Sequence, residues 1–157
     1  MVNPPSLRSL DLIRALLALD LDLTITIGRN EKLRETVKAA AGNRPIEIFG
    51  WTDQLPRVFR TNHLLVGKAG GATVQEAIAA GCPMIINHVV SGQEEGNARL
   101  IVQTNSGAIA LTPEAVVAEV QRAFRDNAAQ WQIWRDNIGR MSRPRASLDI
   151  AEFLLGL

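Results

Sequence analysis

Residues 64–76 of the chain are Leu-Leu-Val-Gly-Lys-Ala-Gly-Gly-Ala-Thr-Val-Gln-Glu. The apolar run Leu64–Val66 is typical of a short buried strand, and the segment 72–80 has the composition of a helix that Gly81 ends. The glycines between them have no Cβ, so the backbone can approach a ligand closely there. A helix that begins at such a turn directs unpaired N–H groups toward it, which suits a phosphate. The sequence therefore predicts a strand–turn–helix unit that is either a phosphate site or a turn that needs glycine for geometry alone.

The same alternation of short apolar runs and helix-length segments continues on both sides of this unit. Strands are predicted at 23–27, 46–49, 83–86 and 108–110, and helices at 6–20, 31–41, 94–103 and from 113 onward. Strands separated by helices form βαβ units, so we expect a Rossmann-like α/β fold, a doubly wound parallel sheet with helices on both faces. The last helices are expected to pack on the body of the domain through Trp131, Trp134, Ile138, Ile150, Phe153 and Leu154.

The start of the chain departs from this pattern. A doubly wound sheet opens with a central strand, but the first predicted element here is a helix. Met1-Val2-Asn3 is followed at once by Pro4 and Pro5 and is too short for a convincing strand. The first strand is therefore expected to be missing or reduced.

Composition narrows the class of protein. The chain of 157 residues is predicted to be one domain, 1–157, and its 46% hydrophobic and 21% charged residues exclude intrinsic disorder. A net charge of +1 and 4% aromatic residues argue against a nucleic-acid partner. One cysteine and two histidines exclude an intrachain disulfide and leave little for a zinc site. Without a bilayer-length apolar stretch or a signal-peptide pattern, a cytoplasmic location is expected.

Two further places carry polar side chains suited to a sugar. Glu76 follows Thr73 by three positions, where its carboxylate would accept hydrogen bonds from a diol such as ribose or complete a capping box with Thr73. Residues 91–97, Ser-Gly-Gln-Glu-Glu-Gly-Asn, follow the strand 83–86. They offer the mixed donors and acceptors that sugar hydroxyls need, or they form an ordinary polar helix N-terminus.

The strand 46–49 ends at Gly50 and Trp51. A flat aromatic ring beside exposed backbone would hold a nucleobase, although a tryptophan at a strand end is also a common core residue. Lys68, beside the glycine turn, would offset phosphate charge or lie in solvent. Cys82 is expected to pack as a small buried residue.

Three segments together resemble one family: Phe49-Gly50-Trp51, residues 67–77 and residues 92–98. They resemble the C-terminal, donor-binding domain of GT-B glycosyltransferases of the family that includes MurG and monogalactosyldiacylglycerol synthase. The similarity runs from about Ile25 to Ala110. It implies the C-terminal half of a GT-B architecture and a UDP-sugar as donor substrate. It also implies no cofactor and no metal, because the helix dipole and side chains stabilise the departing UDP.

On this resemblance, the donor site is divided among four groups of residues. Uracil would be held by Gly50 and Trp51, the diphosphate by Gly70, Gly71, Ala72 and Thr73, the ribose by Glu76, and the transferred sugar by Gln93, Glu94 and Asn97. No catalytic residue is assigned, because the N-terminal acceptor domain, with its general base, is absent from the sequence.

The leading hypothesis is the donor-binding half of a UDP-sugar-dependent transferase that delivers a hexosyl group to a lipid or lipid-linked acceptor. It predicts no activity without an acceptor domain or partner subunit, through which the chain would reach a membrane surface. The alternative is a non-catalytic nucleotide-sugar binding or interaction module. A UDP-sugar epimerase is a third hypothesis, but its acidic and histidine catalytic set is not evident.

Overall fold

The computed structural model describes residues 7–156. The expectations for Met1–Ser6, which concern the short first strand and the signal peptide, lie outside these residues. The strands are β1 (Leu23–Gly28), β2 (Ile46–Gly50), β3 (Leu65–Lys68), β4 (Met84–His88) and β5 (Gly107–Ile109). The helices are α1 (Leu7–Leu17), α2 (Glu31–Ala41), α3 (Leu55–Thr61), α4 (Gly71–Ala80), α5 (Glu95–Gln103), α6 (Pro113–Met141) and α7 (Ala146–Leu155).

Every strand pairing is parallel, which confirms the predicted α/β class. β1 pairs with β2, and Ile25 lies opposite Ile48. β4 lies between β3 and β5, so that Ile85 is opposite Val66 on one side and Ala108 on the other. Within residues 7–156 no ladder joins β1 to β3, and the strands form a pair and a triplet.

Helices cover both faces of the strands. Successive side chains of a strand point to opposite faces, so neighbouring residues of β4 contact different helices. Met84 and Ile86 pack in a core cluster with residues of α4 and α5, whereas Ile85 packs in a cluster with residues of α1 and α6. α1 contacts both groups of strands: Leu12 joins the cluster of Ile85, and Ile13 joins that of β1 and α2. α1 therefore ties the strand pair to the strand triplet.

Local signals set several helix ends, including the predicted one at Gly81. The Asn30 side chain accepts a hydrogen bond from the Leu33 N–H at 3.3 Å, which caps α2. Thr112 caps α6 in the same way through the Ala115 N–H at 3.2 Å. Gly81 ends α4 with a φ of +66°, a left-handed conformation that glycine adopts without strain.

The long helix α6 confirms part of the expectation for the C-terminal region. Its backbone leaves the helical conformation at 125–128, so it consists of two helical parts. In the second part, Trp134 and Ile138 are fully buried, and Trp131 is partly buried against the cluster of Ile85. These residues pack on the body of the domain, as predicted.

The expectation for the last helix was wrong. In α7, Ile150, Phe153 and Leu154 are 60%, 84% and 75% exposed instead of buried. Their apolar character favours burial, but it does not specify a surface to pack on, and the body of the domain does not provide one. None of the helices within residues 7–156 has both the length and the apolar character needed to cross a bilayer.

Candidate functional site

The glycine turn presents the N-terminus of α4. Gly70 precedes the helix, Gly71 is its first residue, and within residues 7–156 no side chain caps its N–H groups. Thr73 is the third residue of α4 and not its capping residue, so the capping-box interpretation of Thr73 and Glu76 is wrong. The first N–H groups, from Gly71, Ala72 and Thr73, point beyond the helix end, where the partial positive charge favours an anion.

Hydrogen bonds from two neighbouring elements fix this turn. The Ala69 N–H donates to the His88 carbonyl at the end of β4, at 3.0 Å. The Ala69 carbonyl accepts a hydrogen bond from Nδ2 of Asn97 in α5, also at 3.0 Å. Ala69 itself is fully buried. The backbone entering α4 is therefore held on both sides by the protein's own groups.

An ion pair lies directly against the turn. Lys68 Nζ is 2.9 Å from Oε1 of Glu94, and the Glu94 side chain is only 6% exposed. The other carboxylate oxygen accepts a hydrogen bond from the Val90 N–H at 3.0 Å. The hydrogen bond from Lys68 lowers the pKa of the Glu94 carboxyl; burial opposes this and the Val90 N–H reinforces it. Glu94 is therefore held as a carboxylate, and Lys68 is paired instead of solvated.

The Lys68 side chain leaves little room for a Cβ at position 70. A Cβ on Gly70 would lie 3.2 Å from Lys68 Cε and 3.6 Å from Oε1 of Glu94. The end of the Lys68 side chain would have to give by a few tenths of an ångström to admit it, whereas the distance to Glu94 is ordinary van der Waals contact. Close packing at this position thus joins the Lys68–Glu94 pair to the start of α4.

The loop before α5 contains the remaining residues predicted to contact a sugar. Glu95 accepts hydrogen bonds from the Ser91 hydroxyl at 3.0 Å and from the Gly92 N–H at 3.2 Å, so it closes the loop on itself. These bonds, that from Gly92 first, lower the pKa of the Glu95 carboxyl. Gln93 is exposed. Asn97 is half-buried; its Nδ2 donates to Ala69, and no hydrogen bond to its Oδ1 is found among residues 7–156.

The residues predicted to hold a base lie at the end of β2. Trp51 is 70% exposed, so its interpretation as a core residue is wrong. The Arg29 guanidinium lies 5.9 Å from the centre of its ring, within the range of a cation–π contact. The ring is a large flat surface open to solvent.

Gly50 is enclosed more tightly than Trp51. A Cβ at this position would lie 3.0 Å from Oε1 of Glu31 and 3.3 Å from a guanidinium nitrogen of Arg34. Arg34 also donates to the Ile48 carbonyl at 3.1 Å. Side chains of α2 therefore lie against the end of β2, and glycine leaves room for them.

Glu76 lies in the second turn of α4, three positions after Thr73 and therefore on the same side of the helix. Its side chain is exposed, and that of Thr73 is half-buried. No hydrogen bond of either side chain to other protein groups is found among residues 7–156, so both are free to contact a ligand.

The structure brings part of the predicted site together by direct contact. Gly70, Glu94 and Asn97 meet around Lys68 and Ala69, although Lys68 and Glu94 are 26 positions apart. No hydrogen bond or ion pair in the described part of the chain joins this group to Gly50 or Trp51. The two groups have in common only that each lies at the carboxyl end of a strand. Sequence reasoning missed Arg29 and Arg34. The feature of the sequence that could have identified them is that both arginines follow the predicted strand 23–27.

Metal ligands were not expected at this site. Among residues 7–156, no group of three or more histidine, cysteine, aspartate or glutamate residues is arranged to hold an ion. Cys82 is buried, as predicted, and burial raises the pKa of its thiol to about 12. Transfer without a metal remains a prediction.

Comparison with known proteins places the chain in a family. A family model described as "Glycosyltransferase family 28 C-terminal domain" matches residues 9–133. The chain belongs to this family. The resemblance noted in the sequence is thereby confirmed, and the family consists of glycosyltransferase domains.

Individual relatives agree with this family 28 assignment. Probable monogalactosyldiacylglycerol synthase 2, chloroplastic, of Oryza sativa subsp. indica is 28% identical over 130 residues, which cover 83% of this chain and 28% of the relative. The chain thus spans less than a third of that protein. A crystal structure of MurG from Acinetobacter baumannii superposes with a TM-score of 0.74 at 16% identity, over 100% of this chain and 48% of the other. The glycotransferase of kitacinnamycin gives a TM-score of 0.67 at 19% identity, over 96% of this chain and 40% of the other. These superpositions confirm the predicted fold, the C-terminal half of a GT-B glycosyltransferase.

Proposed function

We propose that this chain is the donor-binding half of a glycosyltransferase that takes a hexosyl group from a UDP-sugar and delivers it to a lipid or lipid-linked acceptor. The observation that carries the proposal is the uncapped N-terminus of α4 at a turn fixed by Asn97 and His88, inside a family 28 domain. A fixed set of N–H donors suits a diphosphate because no donor must be reoriented when the anion binds.

Each part of the donor has a proposed set of contacts. The N–H groups from Gly70 to Thr73 hold the diphosphate, with the Thr73 hydroxyl as an additional donor. Glu76, exposed on the same side of α4 as Thr73, accepts hydrogen bonds from the ribose hydroxyls. Trp51 and the backbone of Gly50 hold uracil. These are three separate contributions, so each can be removed alone.

The sugar is assigned to Gln93, Glu94 and Asn97. Glu94 already accepts bonds from Lys68 and Val90, but a carboxylate has about four acceptor positions, which leaves capacity for hydroxyl groups. The fixed carboxylate and the Asn97 Oδ1 would orient the sugar, while Gln93 would adapt to it. The ammonium group of Lys68 lies beside the turn, where its positive charge would favour the diphosphate.

Bond cleavage needs groups on both sides of the sugar. On the donor side, the positive end of α4 would stabilise the charge that develops on the departing UDP, without a metal ion. The group that activates the acceptor hydroxyl would come from an acceptor domain or a partner subunit. That partner would also supply peripheral contact with a membrane. We expect no transfer by this chain alone.

Calorimetric titration with UDP, UDP-glucose and UDP-galactose tests the proposal. We expect saturable binding of UDP and tighter binding of one UDP-sugar. A folded sample that binds none of them at millimolar concentration would overturn the proposal for this chain. Binding without transfer in the presence of the acceptor partner would favour the non-catalytic module instead.

The ribose contact has a sharper test. Glu76→Ala should weaken UDP binding by about tenfold, as expected for loss of a hydrogen bond to a charged group. Gln75→Ala, at the preceding exposed position, is the matched control and should leave binding unchanged. With 2′-deoxy-UDP the effect of Glu76→Ala should be markedly smaller, because one of its partners is already gone. An equal effect on both ligands would refute the ribose role.

A further inference from the structure

A polar cavity lies at the end of the strands opposite the glycine turn. It has a volume of about 550 Å³, part of it open to solvent, and its polar side chains are Arg60, Thr61, Asn62, His63 and Arg135. Its lining residues 59–63 precede β3, and Ala80 and Gly81 precede β4, so the cavity lies at the amino ends of these parallel strands. From Met84 to His88, β4 advances about 13 Å toward the carboxyl ends. We call this cavity the amino-end cavity.

Trp131 brings two basic side chains of the amino-end cavity together. Its indole N–H donates to the His63 carbonyl at 2.7 Å, and the two rings meet edge to face with centres 5.4 Å apart. The Arg135 guanidinium lies 5.2 Å from the centre of the Trp131 ring, within the range of a cation–π contact. Trp131 is in turn packed against the cluster of Ile85. These contacts restrict Arg135, so less conformational freedom is lost when it binds a ligand.

The two arginines of the amino-end cavity carry hydrogen-bond donors that the described protein does not use. Among residues 7–156, neither Arg60 nor Arg135 forms an ion pair or donates a hydrogen bond to a protein acceptor. No aspartate or glutamate is found among the lining residues. The lining therefore carries the positive charge of two guanidinium groups and no negative charge to balance it.

The arginines have a possible structural role as partners for the helices that end beside the cavity. Both α3 and α4 end there, and the carbonyl groups of a helix C-terminus attract cations. Other groups already bind these carbonyls, however. The Val58 carbonyl of α3 accepts a hydrogen bond from the Asn62 side chain at 2.9 Å, and the Ala79 carbonyl of α4 accepts one from the Ser142 hydroxyl at 3.0 Å. The guanidinium groups are thus left for an external anion.

We propose that the amino-end cavity binds a phosphate group, either as inorganic phosphate or as part of a small phosphomonoester. A guanidinium group donates two parallel hydrogen bonds to phosphate oxygens, and two guanidinium groups match the charge of about −2 on a phosphomonoester at neutral pH. Arg60 and Arg135 supply these bonds, and His63 supplies a further donor from its ring. Because the lining is mostly polar, a soluble ligand fits it better than a lipid chain.

An NMR titration of the full chain tests this proposal. Inorganic phosphate, glycerol 3-phosphate and acetate are added separately at constant ionic strength. Both phosphates should shift the indole N–H signal of Trp131 and the amide signal of His63 saturably at millimolar concentration. Acetate, with a single charge, should bind at least about tenfold more weakly, as expected for the loss of a charge-assisted hydrogen bond. Equal binding of acetate, or phosphate shifts confined to Gly71–Thr73, would overturn the proposal.

Substitutions identify the groups that bind the phosphate. Arg60→Gln and Arg135→Gln should each weaken phosphate binding by about tenfold, through loss of hydrogen bonds to a charged group. Arg140→Gln is the matched control, because it removes an exposed charge of α6 outside the cavity. All three arginines are exposed, and the amide spectrum of each variant shows whether it is folded. Equal weakening by Arg135→Gln and Arg140→Gln would indicate general charge attraction and contradict the proposal.

A last comparison separates a soluble phosphate from a lipid headgroup. Sedimentation of the chain with vesicles of phosphatidylcholine, with and without phosphatidate, measures binding to the same phosphate group on a membrane. We expect the soluble phosphates to bind and phosphatidate to add no cosedimentation. Cosedimentation that depends on phosphatidate, without binding of either soluble phosphate, would overturn the proposal. These measurements use no nucleotide, so their outcome is independent of the proposed donor site.

Discussion

The ends of β2 and β3 are both assigned to the same ligand, yet they are built differently. At the end of β3, Ala69 is hydrogen-bonded through both its N–H and its carbonyl, and Lys68 forms an ion pair with the buried Glu94. The turn is therefore fixed without a ligand. At the end of β2, Trp51 is 70% exposed and contacts Arg29 at 5.9 Å. On the proposed function, the first region should contribute to both stability and binding, whereas the second should contribute to binding alone. Substitutions should separate these two behaviours.

The largest expected effect on stability is at Glu94. Glu94→Gln removes the charge that pairs with Lys68 and leaves a partly buried ammonium group without its partner. We expect the free energy of unfolding to fall by about 1.5–3 kcal/mol, measured by urea denaturation. Glu76→Gln, an exposed carboxylate on α4, is the control and should stay within about 0.5 kcal/mol of wild type. An equal effect of both variants would show that the pair does not stabilise the turn.

The same pair predicts how stability depends on pH. Because the Lys68 hydrogen bond lowers the pKa of Glu94 in the folded state, its stabilisation is present above the unfolded-state pKa. It is lost as the pH falls through the lowered folded-state pKa. The stability difference between wild type and Glu94→Gln should therefore be constant near neutral pH and shrink below about pH 4, the normal range for a glutamate. A difference that grew on acidification would contradict this sign.

A smaller effect is expected at Asn97. Asn97→Ala removes the bond to the Ala69 carbonyl at 3.0 Å, and we expect a loss of about 0.5–1.5 kcal/mol in unfolding free energy. The affinity for UDP should fall as well, because the start of α4 is less well fixed. Unfolding and calorimetric titration of the same variant measure both quantities. Reduced stability with unchanged UDP affinity would mean that the bond holds α5 and not the donor site.

The smallest effect on stability is expected at Trp51. Trp51→Ala removes an exposed ring and one cation–π contact, so the unfolding free energy should change by about 0.5 kcal/mol or less. UDP binding should nevertheless weaken by about tenfold, through loss of the surface on which uracil stacks. A variant that loses stability but binds UDP normally would reverse the assignment of the two regions.

Much of the fold could be predicted because it depends on local patterns. Periodicity located the strands, and Gly81 marked the end of α4 because glycine adopts the left-handed conformation there. The Lys68–Glu94 pair could not be predicted in this way, since it joins residues from different βα units.

The exposure of individual side chains was the second property that could not be predicted from the sequence. Trp51 and the apolar residues of α7 have side chains that are common in protein cores. Whether they are buried depends on which elements lie opposite them. The division of the described strands into a pair and a triplet depends on the three-dimensional arrangement, which no local pattern predicts.

The most direct test is an NMR titration that follows backbone amides with UDP and, separately, with uridine. If the start of α4 holds the diphosphate and Trp51 holds the base, UDP should shift the amide signals of Gly71, Ala72 and Thr73 saturably. Uridine, which carries the base and the ribose but no phosphate, should shift signals at Gly50, Trp51 and Glu76 and leave those of Gly71–Thr73 unchanged. Saturable binding of UDP that left the amides of Gly71–Thr73 unmoved would contradict the central claim.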